Sequence, residues 1–358
     1  MSDLYDRVAD LPLEIDEFDL ARHEMDTSAG FTRVTTEIEL DGGDERGRGE
    51  DVTYDTEDHD RLQSAHAADD LDWDLSGEYT FDEFSAMLAD IDLFPEPPER
   101  EVSRHYRRWA VESAALDLAL RQADTTFAAA LDRRYDPVRF VVSTRLDTEG
   151  DPSADRIHRW LDVDPEMEFK LDPTAAWTPD LMDELAATDS VRILDLKSYY
   201  EGTDVDTDAD PERYRQVLAA FPDAVVEDAK FTAETRPVLA GAEDRLSWDY
   251  PVTDVDSVEA LPIEPQWLNI KPSRFGTVAD LLDTVEYCLE RRISLYGGGQ
   301  YELGVGREHL HAVASACYPD GPNDIAPSAY HAPEPHSDVP ASPLDPPAEP
   351  TGLRWARE

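Results

Sequence analysis

The second half of this chain repeats one pattern seven times, and that repetition limits the fold more than any other feature. From residue 137 onward a short apolar run, a loop and an amphipathic segment follow one another. The runs at 138–143, 167–171, 191–195, 224–228, 245–249, 267–271 and 293–297 read as strands. The segments at about 153–162, 178–187, 211–220, 232–240, 255–261, 277–291 and 306–317 read as helices. Strands joined through helices run parallel. Seven consecutive units of this kind fit a closed α/β barrel better than a two-layer open sheet. No Gly-x-Gly-x-x-Gly follows the first strand, and Gly297-Gly298-Gly299 near the end lacks that spacing, so a dinucleotide fold is not expected.

Upstream the pattern is different. Residues 11 to 54 alternate apolar and polar as in half-buried strands, with Asp41-Gly42-Gly43-Asp44 as a turn and Gly47-Arg48-Gly49 on the return. One amphipathic helix is expected near Phe81 to Leu93, and a long one from about Ser103 to Leu131. The expected organisation is an α+β cap with its leading helix over 1–135 and a barrel over 136–330. Residues 331–358 are Pro-rich and read as a flexible tail.

The formal net charge is −49, from 81 acidic and 32 basic residues. With 41% hydrophobic residues and seven Trp, this describes a folded core under an acidic surface rather than a disordered chain. Such a surface suits molar salt, the halophilic habit, where charges are screened over about 3 Å. It repels nucleic acid and anionic lipid, so neither is an expected partner. No run of 18 apolar residues offers a membrane span, and the acidic start has no apolar segment of the signal-peptide kind, so a cytoplasmic protein is expected. Cys288 and Cys317 give no metal spacing and no disulfide framework, and both fall in helical segments where core thiols are expected.

Only four lysines occur: Lys170, Lys197, Lys230 and Lys271. Each follows a short apolar run, where strands end. Reactive groups of a parallel barrel gather at those carboxyl ends. There the sequence supplies Lys170 and Asp172, Asp195 and Lys197, Glu227 and Asp228, Asp249, then Lys271. Convergent carboxylate oxygens suit a hard divalent cation such as Mg²⁺. A lysine beside that cation is pushed toward its neutral form and becomes a candidate general base, a role arginine cannot take.

The same residues carry a resemblance. Asn269-Ile-Lys271-Pro-Ser-Arg-Phe-Gly and Leu295-Tyr-Gly-Gly-Gly-Gln-Tyr-Glu-Leu-Gly-Val-Gly are similar to the sixth and seventh barrel strands of the enolase superfamily, of the muconate-lactonizing and mandelate-racemase type. Gly47-Arg-Gly-Glu-Asp resembles its capping domain, and Glu112-Ser-Ala-Ala-Leu-Asp-Leu-Ala-Leu the helix that leads into its barrel. The resemblance implies a (β/α)₇β TIM-like barrel with an N-terminal α+β capping domain, a homo-oligomer, Mg²⁺ as cofactor and a small carboxylate as substrate. It implies Asp195, Glu227 and Asp249 as metal ligands, Lys271 as the base, Lys170 beside the substrate carboxylate, and Glu302 as an acid near the substrate.

This sequence also departs from the family pattern. Asp172 stands where the second lysine of Lys-x-Lys is usual, and Lys197 where asparagine is common. A single base therefore fits better than two matched lysines. Removing a proton α to a carboxylate builds an enediolate, which Mg²⁺ and Lys170 would stabilise while Lys271 takes the proton. Elimination or cycloisomerisation would follow, with Asp172 or Lys197 as the acid for a leaving group. The alternatives are a racemase or epimerase of the same family, or a non-catalytic carboxylate- or metal-binding relative. His309 and His311 read as core or surface residues. Arg104, Arg107 and Arg108 read as a patch neutralising nearby acids, and Met25 to Thr32 as a loop over the site.

Overall fold

In the computed structural model, described for residues 3–27, 30–146, 151–200, 205–331 and 334–355, the repeated units do form a barrel. Strands β1 (Pro12–Ile15), β2 (Glu17–Asp26), β3 (Thr32–Gly42), β4 (Glu45–Asp51) and β5 (Gly77–Thr80) belong to the cap. The barrel strands are β6 (Val142–Thr144), β7 (Phe169–Leu171), β8 (Val191–Asp195), β9 (Val225–Glu227), β10 (Leu246–Trp248), β11 (Trp267–Ile270) and β12 (Ser294–Gly297). They form one seven-stranded sheet in sequence order, and every neighbour pair is parallel.

Closure comes from single bridges. Asn323 pairs in parallel with Phe140, before β6, and Asp324 with Gly298, after β12. The Asn323 side chain reinforces the seam: Oδ1 accepts from Gly297 N at 2.6 Å, and Nδ2 donates to Arg139 O at 2.8 Å. These two residues stand as the eighth strand. The expected (β/α)₇β barrel with an α+β cap is the observed architecture.

Three antiparallel strands, β2-β3-β4, build the cap sheet. Gly42 faces Glu45 in register, which leaves Gly43 and Asp44 as a two-residue turn with φ of 57° and 66°. Both lie in the left-handed region that a type I′ turn requires. β4 lies on the helix Ser103–Gln122, and Gly49 permits it: a Cβ there would meet Ala110 O at 1.9 Å. The helix expected to run to Leu131 stops at Gln122. Asp124 turns left-handed (φ 48°), and Thr126 caps a new short helix, Phe127–Ala130, by accepting from Ala129 N.

The Pro-rich segment expected to be a flexible tail is anchored instead. Leu344 exchanges both backbone hydrogen bonds with Val138, Leu353 N donates to Asp117 Oδ1 at 2.8 Å, and Leu353 and Trp355 are buried. Prolines suppress regular structure without preventing such packing. Cys288 and Cys317 are buried free thiols, pushed up to about 12 and about 11 by burial. His309 and His311 are buried on the helix Val305–Cys317, and burial depresses them to about 3 and about 4. Among the described residues no helix is long and apolar enough to cross a membrane.

Candidate active site

Inside the barrel the apolar filling is thin. Val141, Ile193, Val225 and Tyr296, with Trp267, form a cluster separate from the main core between strands and helices. Inward positions alternate along each strand, so the residues two further on from Ile193 and Val225 also point inward. Those are Asp195 and Glu227, paired side by side in register. The strand period itself thus stacks a charged layer on the apolar one.

Lys170 lies in this layer, 2% exposed. Its Nζ stands 2.5 Å from Glu227 Oε1, 3.2 Å from Asp324 Oδ2 and 3.4 Å from Asp195 Oδ2. Burial works to lower its pKa, but these carboxylates outweigh it and hold the ammonium well above lysine's ordinary range. Lys170 is a fixed cation. Lys197 behaves alike: its Nζ is 2.6 Å from Asp195 Oδ2 and 3.4 Å from Asp172 Oδ2, and against burial the two carboxylates raise it. The expectation of neutral lysines is tied to a cation beside them; from the protein's own groups, the carboxylates that crowd these two favour the ammonium.

Glu227 receives three donors: Lys170, Asn269 Nδ2 at 3.0 Å, and the Tyr296 hydroxyl. Burial pushes it up to about 8; Lys170 opposes that rise, while Asp195, Asp249 and Asp228 add to it. Burial, Asp249 and Asp195 also raise Asp228 to about 7. Asp195 goes the other way, held low against burial by Lys197 and Lys170.

Asp249 sits just past β10 with its own donors. Lys271 Nζ is 2.8 Å from Oδ2, Arg274 Nε 3.1 Å from Oδ1, and the Tyr200 hydroxyl donates to Oδ2 at 2.7 Å. Against burial, Arg274, Lys271 and Lys170 keep Asp249 far below the carboxylate range. Asp228 accepts from the backbone N–H groups of Asp249 and Tyr250 at 2.9 and 3.1 Å and so fixes the turn that carries Asp249. Lys197, Asp228 and Tyr301, each just past a barrel strand, have φ of 50°, 54° and 58°. Left-handed non-glycine residues cost strain and collect where function fixes geometry.

The barrel mouth therefore joins seven of the eight expected site residues: Lys170, Asp172, Asp195, Lys197, Glu227, Asp249 and Lys271. Glu302 is buried, but one oxygen accepts from Gln300 N at 2.6 Å and the other stands 2.8 Å from Arg307. The sequence reading assigned no role to Arg274, Tyr200, Tyr296 or Asp324 at the mouth. Arg274 was detectable, since the one-turn helix Pro272–Phe275 brings a residue three past Lys271 back over the same carboxylate. The loop expected over the site contains residues 28 and 29, which lie outside the described residues. Next to them, Phe31 meets Tyr301 edge-on at 5.5 Å.

One oxygen from each of Asp195, Glu227 and Asp228 lies within 4.8 Å of the others, all buried, a set that could hold a metal ion. The surrounding charge agrees. Asp172, Asp195, Glu227, Asp249 and Asp324 share Lys170, Lys197, Lys271 and Arg274, Asp228 beside them is held by backbone N–H groups, and Arg145 stands 3.7 Å from Asp172 at the rim. Carboxylate oxygens in anionic surplus fit a hard divalent cation.

Two family profiles match the chain: "Domain of unknown function (DUF8230) N-terminal domain" over residues 6–130 and "Domain of unknown function (DUF8230) C-terminal domain" over 134–332. No curated protein matches it in sequence. Solved structures share its fold. An enolase-superfamily member from Listeria innocua is 17% identical with a TM-score of 0.63, over 88% of this chain and 86% of that one. A dipeptide epimerase from Methylococcus capsulatus complexed with Mg is 16% identical with a TM-score of 0.64, over 86% and 88%. A muconate cycloisomerase from Pseudomonas fluorescens is 16% identical with a TM-score of 0.63, over 88% and 87%.

Proposed function

Because the chain belongs to the DUF8230 family and has the enolase fold, we propose that it is a Mg²⁺-dependent lyase or isomerase. It would take a proton α to the carboxylate of a small organic acid by a one-base route, an elimination or a cycloisomerisation. One observation carries this reading: buried carboxylate oxygens in surplus converge at the barrel mouth, ringed by three of the chain's four lysines.

Asp195, Glu227 and Asp249 would hold the ion, with Asp228 within reach but turned first to the backbone that positions Asp249. Bound there, Mg²⁺ would supply charge stabilisation to a substrate carboxylate as the enediolate develops. Lys170, a fixed ammonium, adds positive charge beside that carboxylate. Lys271 takes the proton on Nζ. Asp249 then accepts a hydrogen bond from the ammonium, and because Arg274 and Tyr200 share Asp249, its charge does not bind Lys271 alone. Lys197, paired with Asp172, is placed to return a proton or to protonate a leaving group. The working protein would be a cytoplasmic homo-oligomer, without nucleic-acid or membrane partners.

Solvent-deuterium exchange into a panel of acid sugars, amino acids and aromatic acids tests the reading. The expected result is Mg²⁺-dependent exchange that Lys271→Ala abolishes. Metal and carboxylate binding with no exchange on any acid would make the protein a non-catalytic relative.

A further inference from the structure

The loop after β12 holds a side chain that this chemistry leaves unused. Gln300 is 2% exposed. Its backbone is pinned on both sides: its N–H donates to Glu302 Oε1 at 2.6 Å, and its carbonyl accepts from Arg33 Nη2 at 3.0 Å. Its side-chain Oε1 accepts from the Tyr54 hydroxyl of the cap at 3.0 Å. Its Nε2 is buried with no hydrogen-bond partner among the described residues. A buried donor left unpaired costs free energy that a partner would recover.

The surroundings say what that partner is. Two residues before Gln300, Gly298 lies against the proposed base: a Cβ there would stand 2.7 Å from Lys271 Cε. One residue after it, Tyr301 meets Phe31 of the cap edge-on at 5.5 Å. Gln300 thus follows closely on the glycine that lies against Lys271 and reaches the cap through Tyr54 and Arg33. Arg33, the guanidinium behind this loop, spends its donors on the carbonyls of Val52, Thr53, Gln300 and Tyr301. With the mouth already rich in carboxylates, a second negative charge beside Gln300 would be buried at a cost. A neutral oxygen would not.

We propose that Gln300, oriented by Tyr54, is a specificity-determining residue whose carboxamide N–H donates to a neutral carbonyl on the substrate. The substrate is then a carboxylic acid with an uncharged acyl, amide or keto oxygen a few atoms from the reacting carbon. This rests on the proposed function above.

Ligand-detected NMR with Mg²⁺ tests it with three acids of similar length: 4-oxopentanoate, 4-methylpentanoate and glutarate. Wild-type protein is expected to hold 4-oxopentanoate about tenfold tighter than 4-methylpentanoate, the size of one hydrogen bond. Gln300→Leu removes that preference and leaves 4-methylpentanoate unchanged, and Tyr54→Phe reduces it partway. Should Gln300→Leu not fold, Gln300→Met gives the same comparison. An equal preference in wild-type and variant overturns the inference, as does glutarate binding best. Mg²⁺-dependent binding without any Gln300-dependent preference removes this inference alone, whereas no Mg²⁺-dependent binding of any acid removes the proposed function with it.

Discussion

Two parts of this molecule bury charge, and they do so by opposite rules. In the cap and where it meets the barrel each charge has its own partners. Arg107, fully buried, donates to Asp51 Oδ2 at 2.8 Å and to the carbonyls of Leu93 and Asp58. Glu50 accepts from Leu303, Gly304 and Gly306 N–H at 2.7, 3.0 and 2.8 Å, at the start of the helix Val305–Cys317, where the helix dipole also favours an anion. At the mouth five carboxylates, with Asp228 beside them, share four cations, so the same aspartate serves two lysines or a lysine and an arginine. Matched charge holds the fold together, whereas shared, surplus charge has work left to do.

That contrast breaks if a mouth variant and a cap variant behave alike. The largest effect is expected from Lys271→Ala. Deuterium exchange should fall by about 10²–10⁴-fold, the range for losing a general base, while the melting temperature barely moves, since Arg274 and Tyr200 remain on Asp249. Exchange that survived would remove Lys271 from the chemistry. Arg107→Met should do the reverse. It strands Asp51 without its guanidinium and should cost about 3–5 kcal/mol, the range for breaking a buried pair. Denaturant unfolding measures it, and a cost no greater than that of Lys271→Ala would erase the distinction.

How much of this was legible beforehand follows the same division. Strand periodicity located all seven barrel strands, and with it Lys170, Asp195, Glu227 and Lys271, because an inward side chain at a strand end is a local property of sequence. The eighth strand, reduced to bridges at Asn323 and Asp324, leaves too short a pattern for any period to show. The anchored tail, and the placement of Asp324 beside Lys170, depend on contacts between distant segments. Among 81 acidic residues, nothing marks Asp324 as a partner for Lys170. Asp249 was legible as a strand-end carboxylate, and Arg274 by its spacing from Lys271, but the engagement of Tyr200 was not.

A smaller effect sharpens the picture inside the mouth. Calorimetric titration with Mg²⁺ should weaken more for Asp249→Asn than for Asp228→Asn, by about tenfold between them, near 1.4 kcal/mol. Asp228 spends both oxygens on backbone N–H groups, whereas the partners of Asp249 are side chains able to shift. The opposite ranking would make Asp228 the third ligand.

The last expected effect concerns pH without metal. Glu227 and Asp228 hold their protons to about 8 and about 7 in the fold, whereas unfolded they release them near 4. Across that window the native chain binds more protons than the unfolded chain, so stability falls as pH rises, by about 1.4 kcal/mol per pH unit for each such proton. The low values of Asp195 and Asp249 act only in acid, below this window. In EDTA the midpoint of urea unfolding should therefore decline from pH 5 to pH 8. Glu227→Gln, which has no proton to lose, should decline less, and that difference isolates the mouth from the many surface carboxylates. Saturating Mg²⁺ binds the ionised forms and should flatten the wild-type slope toward that of the variant. The cap offers a control, because Arg107 keeps Asp51 ionised through the whole range and Asp51→Asn should leave the slope unchanged. If wild type and Glu227→Gln decline in parallel, the surplus charge at the mouth is not what sets the slope.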